Sequence, residues 1–463
     1  MRTDRARWLS TLVFLLTLSL ALLTMAGCGG GTSVSSTVTS GGGTGTTGTG
    51  SNVGVSPSFF GMSVDINGPA AYNRQWPSVT IGTMAKTPGT GWYYIEQAPG
   101  VYRWTGLDNA VHAALANGAT TILYTFYGTP SFYATNAGGP CFIAGVAGCA
   151  EPPSNNQDWI NFVTALVTRY KGEITHYEIW NEANRPNAWA GSTAQIVTMA
   201  QGAYQTIKSI DPNAKVLSPG PDIGSDFASW IQDYLQAGGA QSSDGVSWHG
   251  YLCQDNPQMN IVCPSDASCD SRGIDCAGAP LVNQIADVRQ AAEAAGAANL
   301  PLYDTEGGWQ QNLHLPNPDD QMGYVARWLI IQASEGVVIA SWYGWGIGGP
   351  SDPSGWGSMF DEDSGQTTGA ATAYEAAHGW ISGSTMNGAC SADSNNVWTC
   401  GMTFGNGKSG LVVWNGNEVS STYTPASQYI QYETLTGGSP TPISAGANVT
   451  IGETPILLES GNR

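Results

Sequence analysis

The chain has 463 residues, with 35 acidic against 16 basic side chains and a formal net charge of −19 at pH 7. A chain this acidic is repelled by phosphate backbones, which excludes nucleic acid as a partner, disfavours anionic polymers and leaves neutral ligands open. Five histidines in all, with no His-x-His on the first predicted strand, argue against a catalytic metal, so neither metal nor cofactor is expected.

Residues 1–27 read as an export signal, with Arg2, Arg5 and Arg7 ahead of an apolar stretch over 8–23. The stretch ends in Thr24-Met25-Ala26-Gly27-Cys28, which resembles the lipobox of bacterial lipoproteins. The resemblance implies lipidation at Cys28 and an exported protein held on the cell envelope, at the outer membrane or cell surface. An uncleaved membrane anchor is the alternative, and Gly29, Gly30 and Gly31 make a poor continuation of such a helix. Residues 28–54 are almost entirely Gly, Ser and Thr and bury nothing, as a tether does.

From residue 55 the pattern alternates. Short apolar, strand-like runs lie at 59–64, 79–84, 121–126, 177–180, 215–217, 246–248, 301–304 and 337–342. Helical faces separate them. Leu107, Ala110, Val111, Ala114 and Leu115 mark one; Trp159, Phe162, Val163, Leu166, Val167 and Tyr170 mark another, with Ser154 and Gln157 at capping-box spacing. Ile196, Ala200, Ala203, Tyr204 and Ile207 follow Ser192 and Gln195 at the same spacing, and Phe227, Trp230, Ile231, Tyr234 and Leu235 form a fourth face. Two more helices are expected over about 281–297 and 321–334. Eight strand–helix repeats predict an α/β fold, a (β/α)₈ TIM barrel over 55–381. A doubly wound sheet would be expected to carry a Gly-rich phosphate turn after its first strand, and none is present. Past about 382 the helical period disappears and strand-like runs alternate with Gly, Asn, Ser and Pro turns. Residues 382–463 are therefore expected to form a β-sandwich, completed by a strand near 51–55.

Besides Cys28, eight cysteines remain, an even number in a chain expected to be exported. Cys141 with Cys149 and Cys390 with Cys400 are close enough to close local loops, while Cys253, Cys263, Cys269 and Cys276 allow three pairings. A zinc site in that last group lacks any Cys-x₂-Cys pair, so disulfides are expected throughout.

Two segments carry the chemistry. Glu178-Ile179-Trp180-Asn181-Glu182 and Leu302-Tyr303-Asp304-Thr305-Glu306 each end a β-prone run in a glutamate. Carboxylates at the C-terminal ends of barrel strands are brought to one mouth, and a pair of carboxyl groups about one bond is what glycoside hydrolysis uses. Asp304, two residues before Glu306, is expected to point into the barrel as a non-catalytic residue. Trp189 and Trp309 directly follow the two segments and are candidates for stacking on sugar rings.

Trp180-Asn181-Glu182 followed by Asn184 resembles the Asn-Glu signature of the large retaining glycosidase clan, clan A, built on (β/α)₈ barrels. Within the clan the chain looks most like glycoside hydrolase family 39 and its family 5 neighbours. Gly89-Thr90-Gly91-Trp92, Gly128-Thr129-Pro130, Trp248-His249-Gly250-Tyr251, Thr305-Glu306 and the stretch 342–345 resemble the ends of further barrel strands. The likeness covers about 56–379, and a C-terminal β-domain is also usual in such enzymes. It implies that Glu182 is the acid/base and Glu306 the nucleophile. It further implies that Asn181 meets the sugar 2-hydroxyl, that His249 and Tyr251 stand beside the carboxylates, and that Trp345 floors the subsite of the cleaved sugar. The clan usually has an arginine after the second strand; here Lys86 is the candidate for that place. The expected protein is a monomeric retaining glycosidase acting on a neutral β-linked carbohydrate. Its rivals are a non-catalytic glycan binder on the same scaffold and a metal-dependent barrel hydrolase.

Overall fold

The computed structural model describes residues 52–67, 75–224, 226–252, 277–309, 317–346, 358–361 and 364–463. Cys28, Cys253, Cys263, Cys269 and Cys276 lie outside the described residues. Eight strands form one parallel sheet: β1 (Phe60–Val64), β2 (Thr83–Met84), β3 (Thr121–Thr125), β4 (His176–Glu178), β5 (Lys215–Leu217), β6 (Val246–Tyr251), β7 (Leu302–Gly308) and β8 (Ala340–Trp345). The sheet runs β5-β4-β3-β2-β1-β8-β7-β6. A bridge between Leu217 and Gly245 brings its two ends together, and the Ser247 N–H donates to Ser218 Oγ at 2.9 Å. The result is a TIM barrel.

Helices α1 (Thr105–Ala116), α2 (Asn156–Arg169), α3 (Thr193–Ile210), α4 (Phe227–Gln236), α5 (Ala279–Ala294), α6 (Pro318–Ser334) and α7 (Gly369–Ile381) follow β2 to β8 in turn. Each presents its apolar stripe to the strands. Trp159, Phe162, Val163, Leu166 and Val167 of α2 are all buried, and each such side chain contributes roughly 1.5–3 kcal/mol on burial. Ser192 and Gln195 form the reciprocal capping box at the start of α3. Ser154 and Gln157 do not make one at α2, because Asn155 takes the cap and accepts the Gln157 N–H at 3.0 Å. Ser154 instead donates its hydroxyl to Tyr133 O at 2.6 Å.

Two elements differ from the sequence expectation. The strand expected over 79–84 is reduced to Thr83–Met84, since the Thr80 N–H donates to Glu375 Oε2 at 2.6 Å and not to a neighbouring strand. Helix α7, absent from the sequence reading, buries Ala370, Ala373, Tyr374, Ala377, Trp380 and Ile381. Its alanines make a shallow apolar face, which is why the periodicity is weak.

The C-terminal β-sandwich pairs one large antiparallel sheet with a ribbon of Ser421–Tyr423 and Val449–Ile451. Val413, Tyr429, Val449, Ile451, Ile456 and Leu458 form its own small core. The short strand Val53–Gly54 pairs antiparallel with Thr385–Met386 at the edge of the large sheet. Arg327 of α6, buried, donates to the Glu453 carbonyl at 2.5 and 3.0 Å and ties barrel to sheet. Cys141 is bonded to Cys149 and Cys390 to Cys400. Among the described residues no helix is long and apolar enough to cross a membrane.

Candidate active site

Strand alternation decides which side chains reach the barrel axis. Leu123, Leu217, Tyr303 and Ile339 meet as an apolar layer inside the barrel. Above them, Thr125 Oγ1 donates to Glu178 Oε2 at 2.7 Å, and Thr305 Oγ1 donates to Glu178 Oε1 at 2.5 Å. The buried carboxylate of Glu178 is thus held by hydroxyls from two facing strands. A Cβ at Gly220 would collide with Glu178 Oε1 and lie 2.9 Å from His249 Nε2. Only glycine leaves that space.

The next layer contains the site. Pairing of β6 with β7 slips between Asp304 and Glu306, so that Asp304 sits opposite Trp248 and Glu306 opposite His249. The bulge turns Thr305 and Glu306 both toward the axis. Asp304 therefore does not point into the barrel as alternation alone predicts. It lies on the α6 side, where its carboxylate crowds the Gly307 Cβ position together with Trp328, and it accepts the Gly250 N–H at 2.9 Å. Burial pushes its carboxyl well above the usual range.

Glu182 follows β4 with a positive φ of 49°. A side chain there costs roughly 1–2 kcal/mol, and the turn is held by the Glu182 N–H donating to Gly220 O at 2.8 Å and the Arg185 N–H donating to Glu182 O at 2.9 Å. Backbone strain of this kind concentrates at functional sites. The carboxylates of Glu182 and Glu306 and the His249 ring each place one atom within 4.8 Å of the others.

Lys86 links the group. Its ammonium donates to Asn181 Oδ1 and Glu306 Oε2 and lies 3.1 Å from His249 Nε2. An ammonium has no acceptor, so Nε2 accepts and Nδ1 carries the ring proton. That Nδ1 faces Glu182 Oε1 at 3.1 Å. Burial alone drives Lys86 toward the neutral amine, but Glu306, Glu178 and Glu182 more than reverse this and raise its pKa. Tyr251 donates its hydroxyl to Glu306 Oε1 at 2.6 Å. Burial, reinforced by the Glu306 charge, raises the phenol well above its ordinary range and keeps that proton in place. Burial opposes ionisation of Glu182, and His249, Arg185 and Lys86 outweigh it, so the carboxyl is held below its ordinary range. Arg185 reaches both Glu182 Oε2 and Asp222 Oδ2 at 3.1 Å.

A cavity of about 580 Å³ opens onto these groups. Of the residues singled out in the sequence, Lys86, Asn181, Glu182, Tyr251 and Glu306 line it, and His249 lies directly behind them. Three do not line it. Trp345 is buried and stacks on Phe360, with ring centroids 5.4 Å apart. Trp309 packs edge-on against Tyr324 and Trp342 behind the strands. Trp189 packs edge-on against Trp180 and donates its indole N–H to Ser192 O at 3.3 Å. These three tryptophans, expected at the sugar, are instead buried among other aromatic rings. Tyr343, two residues before Trp345, lines the cavity in its place, along with Tyr93, Tyr127, Phe142, Arg185 and Asn187. Alternation along β8, with Trp342 outside, was the available signal for Tyr343.

Glu182, His249 and Glu306 are also spaced like a ligand set for a cation. The Lys86 ammonium already stands among them and Arg185 beside them, so an added divalent ion would meet two fixed positive charges.

No curated protein matches the chain significantly. Among solved structures it is similar to a family 39 glycoside hydrolase from the gut symbiont Bacteroides cellulosilyticus WH2. That match has 16% identity and a TM-score of 0.64 over 87% of this chain and 82% of the other. It is likewise similar to a family 39 β-xylosidase from Caulobacter crescentus, at 18% identity and a TM-score of 0.60, covering 88% and 97%. A family 30 endoxylanase from Clostridium papyrosolvens C71 matches at 15% identity and a TM-score of 0.58, covering 89% and 98%. At these identities the likeness speaks for the barrel fold alone. The family model of cellulase (glycosyl hydrolase family 5) matches residues 93–347, more than half of the chain and spanning both carboxylates, and the chain accordingly belongs to this family of O-glycosyl hydrolases.

Proposed function

We propose that the protein is a retaining glycosidase that cleaves a neutral β-linked glycan by double displacement, with Glu306 as nucleophile and Glu182 as acid/base. The separation of the two carboxylates carries this reading. One oxygen of each lies within 4.8 Å of the other, which favours the roughly 5–5.5 Å carboxyl separation of direct attack over the roughly 6.5–9.5 Å that admits a water for inversion. Lys86 and Tyr251 hold one oxygen each of Glu306 and fix its orientation for attack on the anomeric carbon. Lys86 also polarises Asn181, whose amide is left to meet the sugar 2-hydroxyl. An ammonium on the nucleophile supports catalysis over a non-catalytic glycan binder on the same scaffold.

Glu182 donates its proton to the leaving oxygen and then activates water for the second step. In the open site it is ionised and accepts from His249. Filling the cavity with sugar strips water from it, and burial is the one influence on this carboxyl that favours the acid form. Neutral pyranosides suit the cavity, whose lining besides Lys86, Glu182, Arg185 and Glu306 is tyrosine, threonine, asparagine and apolar groups, and the neighbouring β-xylosidase and endoxylanase act on such sugars. Incubation with a panel of plant and microbial polysaccharides, with the first-formed anomer read by NMR, tests the proposal. A β-anomer from a β-linked chain is expected. An α-anomer as first product would overturn retention.

We further propose that Cys28 is lipidated and holds the enzyme on the cell envelope, on the strength of the Met25-Ala26-Gly27-Cys28 junction. Labelled fatty acid should enter the wild type and not Cys28→Ser. Its absence from the wild type would sink the assignment.

A further inference from the structure

Asp304-Thr305-Glu306 carries two carboxyl groups, and the reaction described above uses one of them. Asp304 is fully buried. Burying an ionisable group costs free energy that an apolar side chain in the same strand would not. Packing alone therefore does not account for an aspartate here. Its place in the sheet does. Strand β7 is irregular at this point against both neighbours, with the register slipping after Asp304 on the β6 side and again on the β8 side. Thr305 is the extra residue, and the bulge it makes is what turns Glu306 to the axis.

Asp304 ties that bulge down on both sides. Its N–H donates to Ile339 O, just ahead of β8, at 2.9 Å, and its Oδ1 accepts the Gly250 N–H of β6 at 2.9 Å. Gly250 lies between the two β6 residues that meet the catalytic carboxylates. On one side the His249 ring faces Glu182 Oε1 at 3.1 Å, and on the other Tyr251 donates its hydroxyl to Glu306 Oε1 at 2.6 Å. The strands leave room for the Asp304 carboxyl. A Cβ at Gly250 would collide with Asp304 Oδ2, and one at Gly307 would lie 3.1 Å from the same oxygen and 2.5 Å from the Trp328 ring. Neither glycine has a left-handed φ, so what each supplies is space. The Trp328 indole N–H donates to Gly250 O at 3.4 Å and closes the frame.

We infer that Asp304 is a positioning residue for the hydrolysis, whose carboxyl oxygen fixes the bulge between β6 and β7 so that Glu306 faces the axis with the Tyr251 hydroxyl on it. This rests on the glycosidase reading of the site. Asp304 does not touch the sugar and acts only through Gly250 and Glu306. Its partner is a neutral backbone N–H, so the requirement is an acceptor of this length and shape, and an amide in its place meets it.

The test compares Asp304→Val with Asp304→Asn on whichever of 4-nitrophenyl β-xyloside, β-glucoside and β-cellobioside the wild type cleaves. Valine fills the space and accepts nothing. It should lower kcat about 10²-fold, the cost of displacing a reacting group by about 1 Å, with KM within about threefold of the wild type. Asparagine keeps the acceptor and should stay within about threefold in both. A residue that only stabilised the strand would lower the melting temperature and leave kcat of the folded enzyme unchanged. Folded Asp304→Val with wild-type kcat therefore overturns the proposal, and so does Asp304→Asn as impaired as Asp304→Val. If Asp304→Val does not fold, Asp304→Ser, whose hydroxyl is too short to reach Gly250, is read against the same limits. Crystal structures of the wild type and the folded impaired variant read the positioning without turnover, and Glu306 should part from Tyr251 in the variant. An intact bulge with that hydrogen bond preserved would defeat the positioning role in an enzyme that still cleaves glycosides. A wild type that cleaves none, with a bulge that still depends on Asp304, would defeat the glycosidase reading alone.

Discussion

Glu306→Ala is expected to abolish turnover on every substrate, by about 10⁴-fold or more, because the attacking carboxylate is gone and no leaving group can compensate. Glu182→Ala should fail selectively. Loss of a general acid costs about 10²- to 10⁴-fold on natural linkages, while an aryl glycoside whose phenol leaves without protonation should still glycosylate Glu306. Azide separates the two roles. In Glu182→Ala it should intercept the glycosyl-enzyme and give a product of retained configuration, because two displacements have taken place. In Glu306→Ala it enters the vacated space, attacks an activated substrate once and gives the inverted product. NMR of the two glycosyl azides decides the matter. Near-normal activity in Glu306→Ala, or the two configurations exchanged, would refute the assignment.

The second large effect is expected at Lys86. Lys86→Met removes the one lysine or arginine that touches Glu306 among the described residues, leaving that carboxylate buried opposite Glu182 with their oxygens within 4.8 Å. Removing one partner of a buried ion pair costs about 3–5 kcal/mol of stability, and loss of a preorganised charge from the site should lower kcat/KM by roughly 10²- to 10³-fold. Like charges at that range also favour retention of a proton by one of them, which takes away the attacking form. Lys86→Arg keeps the charge in a planar fork that changes the geometry toward Asn181 and His249, and activity within about tenfold of wild type is expected. Thermal unfolding of both variants separates a folding defect from a catalytic one. If Lys86→Met retains activity within about threefold of the wild type, the ammonium is not what holds the nucleophile.

How much of this the sequence carried depends on the kind of signal. The barrel was legible because each repeat wrote its own period, and Glu182 and Glu306 because each ended a strand-like run abruptly. Lys86 was visible only as the one cation near the end of β2, with no hint that its ammonium would reach Glu306, Asn181 and His249 together. Asp304 was misplaced because a bulge is a property of pairing between β6 and β7, and neither strand alone encodes it. Trp345, Trp309 and Trp189 were nominated for size and position, yet a large ring serves a sugar only if one face stays open. All three are buried, Trp345 stacked on Phe360, Trp309 against Tyr324 and Trp342, and Trp189 against Trp180. Tyr127 and Phe142 went unnoticed for the converse reason, since partial exposure in a loop leaves no periodic trace, whereas alternation along β8 could have shown Tyr343. Helix α7 escaped because its buried face is mostly alanine.

The strand Val53–Gly54 has a consequence for how the molecule comes into being. Its partner, Thr385–Met386, is translated more than three hundred residues later. On a growing chain the first described strand therefore waits, unpaired, while every barrel strand and helix is made ahead of its mate. The pairing adds a contact of very long sequence separation, which is slow to form. Completion of the large sheet is thus among the last events of synthesis, and a chain truncated before residue 385 would leave Val53 and Gly54 as an open strand for another molecule to add to.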